Sequence, residues 1–233
     1  MILCLDAGNT RLKWGLFEPS CGWRESGALP LPELDGLRLP EADRAVFANV
    51  AGDEVGERVE RMLAGLPLLR VSARGEQCGV INGYDRPEQL GADRWAALIG
   101  ARALYQGPAL VVMAGTATTV DLLDEGGVFR GGLILPGLEL MRRSLARNTA
   151  RLDLMPGEFR ELPANTADAI LSGCLQAQAG AVERQFRLIE CQTNALCLLA
   201  GGAASQLLPL LKIPVRPVEN LVLEGLAKIG LEP

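Results

Sequence analysis

Histidine is absent from the 233-residue chain. That removes imidazole acid–base catalysis, Ser-His-Asp triads and histidine metal ligands. Six cysteines are present, Cys4, Cys21, Cys78, Cys174, Cys191 and Cys197, but none forms a C-x-x-C pair. Without histidine this argues against a structural zinc site. Cys4 and Cys197 sit in apolar runs and read as small buried hydrophobes. No G-x-x-x-x-G-K-[ST] occurs, so the chain is not a P-loop protein. No apolar stretch reaches the ~18 residues of a membrane helix. The start lacks the cationic and apolar regions of a secretory signal. A soluble, reduced, cytoplasmic protein is expected, with no membrane partner. Lysine is scarce, 3 against 20 arginines, which reads as genomic base composition but makes Lys13 stand out. The net charge is −5, the pI about 5.0, and there is no basic stripe, so a nucleic-acid partner is not expected.

What remains is an ordinary globular composition, 48% hydrophobic and 22% charged, long enough for one large domain or two small ones. Two segments carry most of the information. The apolar run Met1 to Leu5 leads into Asp6-Ala7-Gly8-Asn9-Thr10-Arg11-Leu12-Lys13. About a hundred residues on, Ala109 to Met113 leads into Ala114-Gly115-Thr116-Ala117-Thr118-Thr119-Val120-Asp121. Each reads as strand, tight turn, strand. Glycine lets a backbone approach an anion, and turn N–H groups make an anion nest. A carboxylate beside such a nest suits a divalent cation, because phosphate oxygens would otherwise repel it. Two such turns suggest a duplicated fold that grips a nucleoside triphosphate.

The rest of the chain alternates strands and helices. Residues 1–6 and 11–17 predict a hairpin, 45–49 and 68–72 strands, and 52–66 a helix with apolar Val55, Val59, Met62 and Leu63 at helical spacing. Residues 73–86 read as loop. A helix begins near Pro87 or Gly91 and runs to Tyr105. Gln106-Gly107-Pro108 marks a boundary between parts 1–106 and 107–233. The second part predicts strands at 109–113, 118–124 and 128–135 and a helix to Arg147. A loop to Pro163 precedes a helix over 165–189, capped by Asn165 or Thr166. Strand 196–200, a short helix to Leu210, a strand at Val215 and a helix over 219–229 complete an α/β chain.

Each motif admits a plain alternative. The first turn could simply close a hairpin, although a strand ending in a buried Asp6 is costly without a partner. The second could be a threonine-rich hairpin. Asp93, in Gly91-Ala92-Asp93-Arg94 at a helix start, could balance the helix dipole, with Arg94 a surface charge. Alternatively Asp93 accepts a hydroxyl proton and Arg94 neutralises a phosphoryl or carboxylate group. Phosphoryl transfer suits a low-pKa aspartate, because the base chiefly orients the nucleophile. Gly131 to Gly137 is either tightly packed or closely approached by a ligand. Thr166 is either an N-cap or a substrate-binding hydroxyl.

Taken in order, Asp6-x-Gly8-Asn9-Thr10, Gly91-x-Asp93-Arg94, Gly115-Thr-Ala-Thr-Thr119, Gly132-x-Ile-x-Pro-Gly137, Asn165-Thr166 and Ser172-Gly173 resemble type III pantothenate kinase. That family belongs to the acetate and sugar kinase, Hsp70 and actin superfamily. The resemblance implies two actin-like halves, each on a mixed five-stranded sheet flanked by helices. It implies that ATP phosphorylates the 4′-hydroxyl of pantothenate, the first step to coenzyme A. By position, Asp6, Ala7, Gly8, Asn9, Thr10, Arg11, Leu12, Lys13 and Thr116 would bind ATP, with Asp6 holding Mg²⁺ through water. Asp93 would be the proton acceptor; Tyr84, Gly91, Ala92, Asp93, Arg94 and Thr166 would bind pantothenate. Family members are homodimers. The family often has an aspartate for K⁺ or NH₄⁺ where this chain has Met113, a poor ligand for a hard cation. A non-catalytic regulator like the Bvg accessory factors, or another small-molecule kinase, are the alternatives.

Overall fold

The computed structural model describes residues 1–149, 152 and 154–232. The loop expected before Pro163 includes residues 150, 151 and 153, which lie outside the described residues. The chain divides into two compact units. The first holds Met1–Gln106, Gly127–Arg130 and Asn220–Pro233, and the second Gly107–Gly126 and Gly131–Glu219.

In the first unit, β1 (Ile2–Ala7) pairs antiparallel with β2 (Arg11–Glu18), and β2 with β3 (Gly22–Pro30). β4 (Arg44–Asn49) and β5 (Leu68–Arg70) extend the sheet in parallel, giving the order β3-β2-β1-β4-β5. Alternation along β1 sorts its side chains. Leu3, Leu5 and Ala7 join Leu12, Phe47, Val59 and Leu63 in one core, where α1 (Asp53–Met62) packs. Val59 and Leu63 supply the buried part of the predicted helical stripe; Val55 is half-buried against that core. Ile2, Cys4 and Asp6 take the opposite face. The short strands β6 (Glu76–Gln77) and β7 (Val80–Asn82) replace part of the loop expected over 73–86. Two helices then carry the unit, α2 (Ala92–Leu104) and, late in the chain, a partner over Leu221–Gly230. They touch backbone to backbone. A Cβ on Gly100 would lie 2.2 Å from the Leu221 carbonyl, and one on Gly225 1.8 Å from the Ala96 carbonyl.

In the second unit β8 (Ala109–Ala114) and β9 (Ala117–Leu123) form an antiparallel hairpin beside β10 (Val128–Pro136), which enters this unit at Gly131. Helix α3 (Leu138–Asn148) and the long α4 (Thr166–Phe186) follow. Asn165, not Thr166, is the α4 cap; its side chain accepts the Asp168 N–H. β11 (Leu196–Ala200) pairs in parallel with β8, and β12 (Val215–Pro217) with β11. Between them lies the single-turn α5 (Ala204–Leu207), and the Leu221–Gly230 helix is α6. Leu110, Val112, Ala114 and Val120 on one sheet face pack against Leu171, Leu175, Val182 and Phe186 of α4. Burying each large apolar side chain of this kind contributes roughly 1.5–3 kcal/mol.

The class is α/β with two mixed sheets flanked by helices, but the sheets differ in size. The first has five strands; the second has seven, in the order β12-β11-β8-β9-β10-β7-β6. The two extra strands join at the start of β10, where Val128 pairs with Ile81 and Phe129 with Asn82. They are two and three residues long, and Glu76-Gln77-Cys78-Gly79 offers no alternation to read.

Candidate active site

The first turn opens at the end of β1. The Gly8 N–H donates to the Arg11 carbonyl at 3.1 Å, and Asn9, Thr10 and Arg11 are exposed. Ala7 and Leu12 are fully buried in the core, so within residues 6–13 they offer a ligand only backbone. Gly8 has no positive φ, and a Cβ there would meet only the Arg11 carbonyl, at 3.6 Å. Gly115, at the second turn, is similar: its nearest neighbour is the Ala117 carbonyl at 3.4 Å. The fold itself does not demand glycine at either turn. An approaching ligand would.

Asp6 ends the buried row of β1 at 7% exposure, directly across the ladder from Lys13. Its pKa is raised to about 6, chiefly by burial and in smaller part by the Asp93 carboxylate, against the lowering pull of Lys13. An aspartate taken out of water beside a second carboxylate favours added positive charge. No group of three or more acidic or thiol side chains that could hold a metal occurs among the described residues. Magnesium, however, is ordinarily held by one or two carboxylates together with phosphate oxygens and waters. Asp6 beside an exposed N–H turn fits that pattern.

Asp93 and Arg94 lie in the first turn of α2. Gly91 precedes that turn, and a Cβ on it would sit 2.6 Å from Asp93 Oδ1, so a side chain here would displace the carboxylate. Asp93 Oδ1 accepts the Arg94 N–H at 2.8 Å. Arg94 is only 5% exposed and is no surface charge. Its Nη1 donates to the Tyr84 hydroxyl at 3.0 Å. Its guanidinium carbon lies 5.7 Å from the ring centroids of both Tyr84 and Phe129, within cation–π range. Asn82 holds the Tyr84 loop: its Oδ1 accepts the Tyr84 N–H and its Nδ2 donates to the Pro87 carbonyl. Thus the first unit brings Asp6, Lys13, Asp93, Arg94 and Tyr84 into one interacting set. Phe129 belongs to it too, and the sequence reading does not find it. It stands 35 residues from Arg94 in a strand that reads as plain core, and no local pattern marks it.

Thr116 and Thr166 belong to the second unit. Thr116 is exposed in the β8–β9 turn, and its carbonyl accepts the Gly137 N–H at 2.9 Å. Gly137 follows the tight-packing alternative, since a Cβ would lie 2.1 Å from the Gly115 carbonyl. Thr118 donates to the buried Gln178 amide at 3.0 Å, which fixes the hairpin to α4. Thr119 Oγ1 is buried with no hydrogen-bond partner among the described residues. An orphan polar atom of this kind marks strain or an absent ligand. Thr166 is the exposed first residue of α4. Met113 is half-buried at the end of β8.

The profile of the family described as type III pantothenate kinase matches residues 2–188. A type III pantothenate kinase from Azoarcus sp. (strain BH72) is 54% identical, covering 99% of this chain and 90% of its own length. One from Aromatoleum aromaticum is 52% identical, covering 100% and 98%. Among solved structures, a protein assigned to the Baf family of transcriptional activators from Campylobacter jejuni superposes with a TM-score of 0.63 at 20% identity, over 97% of this chain and 96% of its own. One assigned as a 2-dehydro-3-deoxygalactonokinase from Sinorhizobium meliloti gives 0.57 at 12% identity, over 99% and 98%. These two report the fold alone, an α/β architecture shared over nearly the whole chain. On the full-length sequence match, the chain belongs to the type III pantothenate kinase family.

Proposed function

We propose that this protein transfers the γ-phosphoryl group of ATP to the 4′-hydroxyl of pantothenate, giving 4′-phosphopantothenate at the entry to coenzyme A synthesis. The observation that carries the reading is the Asp6–Asp93–Arg94–Tyr84 set, which lies wholly within the residues that the family profile matches. Residues 6–13 bind the ATP phosphates through the Gly8–Thr10 backbone and the Lys13 ammonium. Thr116 binds ATP as well. Tyr84, Gly91, Ala92, Asp93, Arg94 and Thr166 bind pantothenate.

Asp6 holds Mg²⁺ through water; the ion, when bound, neutralises phosphate charge. Asp93 accepts the hydroxyl hydrogen and aims the oxygen at the phosphoryl group. The transition state is loose, so the carboxylate works mainly by orientation. Arg94, fixed by its rings and the Tyr84 hydroxyl, pairs with the substrate carboxylate or the transferring phosphoryl group. Met113 offers no side-chain oxygen for a monovalent cation.

The protein acts in the cytoplasm, and its actin-like halves divide at Gln106 and Gly107, with Gly127–Arg130 and Asn220–Pro233 returning to the first unit. No helix among the described residues is long and apolar enough to cross a membrane, which is compatible with that placement. It works as a homodimer. Ile134, Leu140 and Met155 in the second unit, 65%, 48% and 59% exposed, are apolar surface that a second copy would cover. No observation favours a purely regulatory role. Purified protein with ATP, tested against pantothenate, sugars and acetate, decides the matter: ADP release with pantothenate alone supports the reading, and turnover with another acceptor overturns it.

A further inference from the structure

Helix α2 presents Asp93 and Arg94 from its first turn, yet its N-cap is Gly91, which has no side chain to fix that turn. The anchor comes from the next residue. Trp95 is fully buried, and its Nε1–H donates to Gln77 Oε1 at 3.1 Å. Gln77, itself 9% exposed on β6, donates from Nε2 to Glu232 Oε2 at 2.8 Å. The other oxygen of Glu232 accepts the Cys78 N–H at 3.1 Å. Cys78 and Gly79 turn the chain with φ of 52° and 77°, left-handed values that a non-glycine residue rarely takes. The path from indole to carboxylate is unbroken. The Gln77 amide, above all, holds the Glu232 carboxyl below the usual carboxylate range, as expected for an ionised acceptor.

We propose that Gln77, braced by Glu232, is a positioning residue for catalysis: through the Trp95 indole it sets the rotation of the first turn of α2, and so the aim of Asp93 and Arg94. The physical reason is geometric. The backbone N–H of Trp95 closes that turn onto the Gly91 carbonyl at 2.9 Å, so the indole and the turn move together. A buried indole N–H that loses its acceptor must find another or bear the cost of desolvation. Either response shifts the residue that follows Arg94. The inference rests on the kinase reading above and deepens it.

The test exploits the polarity of the path. In Gln77→Glu the Trp95 indole keeps an acceptor, but two carboxylates face each other. Adding Glu232→Gln reverses the polarity and satisfies every group again. The amide now at position 232 donates to the carboxylate now at position 77, and its oxygen accepts the Cys78 N–H. At pH 8, Gln77→Glu is expected to lower kcat/KM for pantothenate at least about tenfold per folded molecule while KM for ATP stays put, a loss specific to the acceptor side. The double variant is expected to recover to within about threefold of the parent, as direct coupling requires. An unchanged single variant, an unrescued loss in a folded double variant, or an equal rise in KM for ATP each overturns the proposal. If Gln77→Glu does not fold, Glu232→Gln alone carries the test, with an expected loss of about threefold on pantothenate only; no loss overturns it. Failure of the parent protein to phosphorylate pantothenate would instead sink the kinase reading.

Discussion

Asp93 adds its negative field to burial in raising the pKa of Asp6 to about 6, and Lys13 across the ladder only partly offsets the two. The pKa is raised above its ordinary 3.8, so the folded state binds the extra proton. The sign follows by linkage. Below pH 4 the group costs nothing; the cost grows as pH rises towards 6 and is complete above it. Asp6→Asn should therefore stabilise the ligand-free protein at pH 8, by on the order of 1–3 kcal/mol, and leave it unchanged below pH 4. Thermal melts at the two pH values check this. A shift of equal size at both would refute it. The same variant should lose the stabilisation that Mg²⁺ and ATP confer on the parent.

Asp93→Asn should cut kcat by at least about a hundredfold, the lower range for removing a positioned general base. Folding should survive, because the amide oxygen can still accept the Arg94 N–H that Oδ1 accepts now. Removing the negative charge also relieves Asp6, so the variant should melt no lower than the parent at pH 8. Steady-state kinetics and a melt together decide it; near-normal turnover would strip Asp93 of its role.

Much of this architecture is legible in the residues, for identifiable reasons. β1, β2, β8, β9 and β11 announce themselves because short apolar runs meet Gly-containing turns, and α2 because Gly91 starts it and Tyr105-Gln106-Gly107 ends it. β3 does not: Gly22-Trp23-Arg24-Glu25-Ser26-Gly27 has two glycines and a mostly exposed, polar face, the composition of an edge strand. It holds through pairing with β2 and through the Trp23 indole, which donates to Glu224 at 2.8 Å. The same limit hides Phe129 and Gln77. Their importance comes from contacts with Arg94 and Trp95, 35 and 18 residues away, and local pattern carries no trace of such pairs. Arg94 reads as a possible surface charge because sequence shows charge but not the two rings that enclose it.

Gly91→Ala offers a test of how the carboxylate is placed. The backbone there, φ −57° and ψ 142°, suits alanine, so the fold should tolerate it with a stability change within about 1 kcal/mol. The new methyl would sit 2.6 Å from Asp93 Oδ1 and push it aside. A misplacement of this scale should lower kcat by roughly tenfold to a hundredfold. Alanine at this position with parental kcat would mean that the present Asp93 rotamer is not the working one.

Replacing potassium by sodium in the assay should change the rate less than about twofold, because a thioether at Met113 cannot supply the hard oxygen that would select the larger ion. Met113→Asp is the informative companion: a potassium requirement that appears only in that variant would trace the dependence to this side chain. Strong potassium activation of the parent would show that oxygens elsewhere hold the ion.

Tyr84→Phe and Arg94→Lys separate the hydroxyl from the guanidinium. The first variant keeps the ring that packs 5.2 Å from Phe129 and loses only the acceptor of Arg94 Nη1. One hydrogen bond is lost while the guanidinium keeps its charge and both rings, a net cost of about 0.5–1.5 kcal/mol, so KM for pantothenate should rise about threefold to tenfold. The second keeps the charge but loses the planar fork and the stacking on two rings, and should cost more, about tenfold to a hundredfold in kcat/KM. KM for ATP should stay within about twofold in both, because residues 6–13 are untouched. If the lysine variant matched the parent, Arg94 would be serving as bulk positive charge, and the enclosure by Tyr84 and Phe129 would have no catalytic consequence.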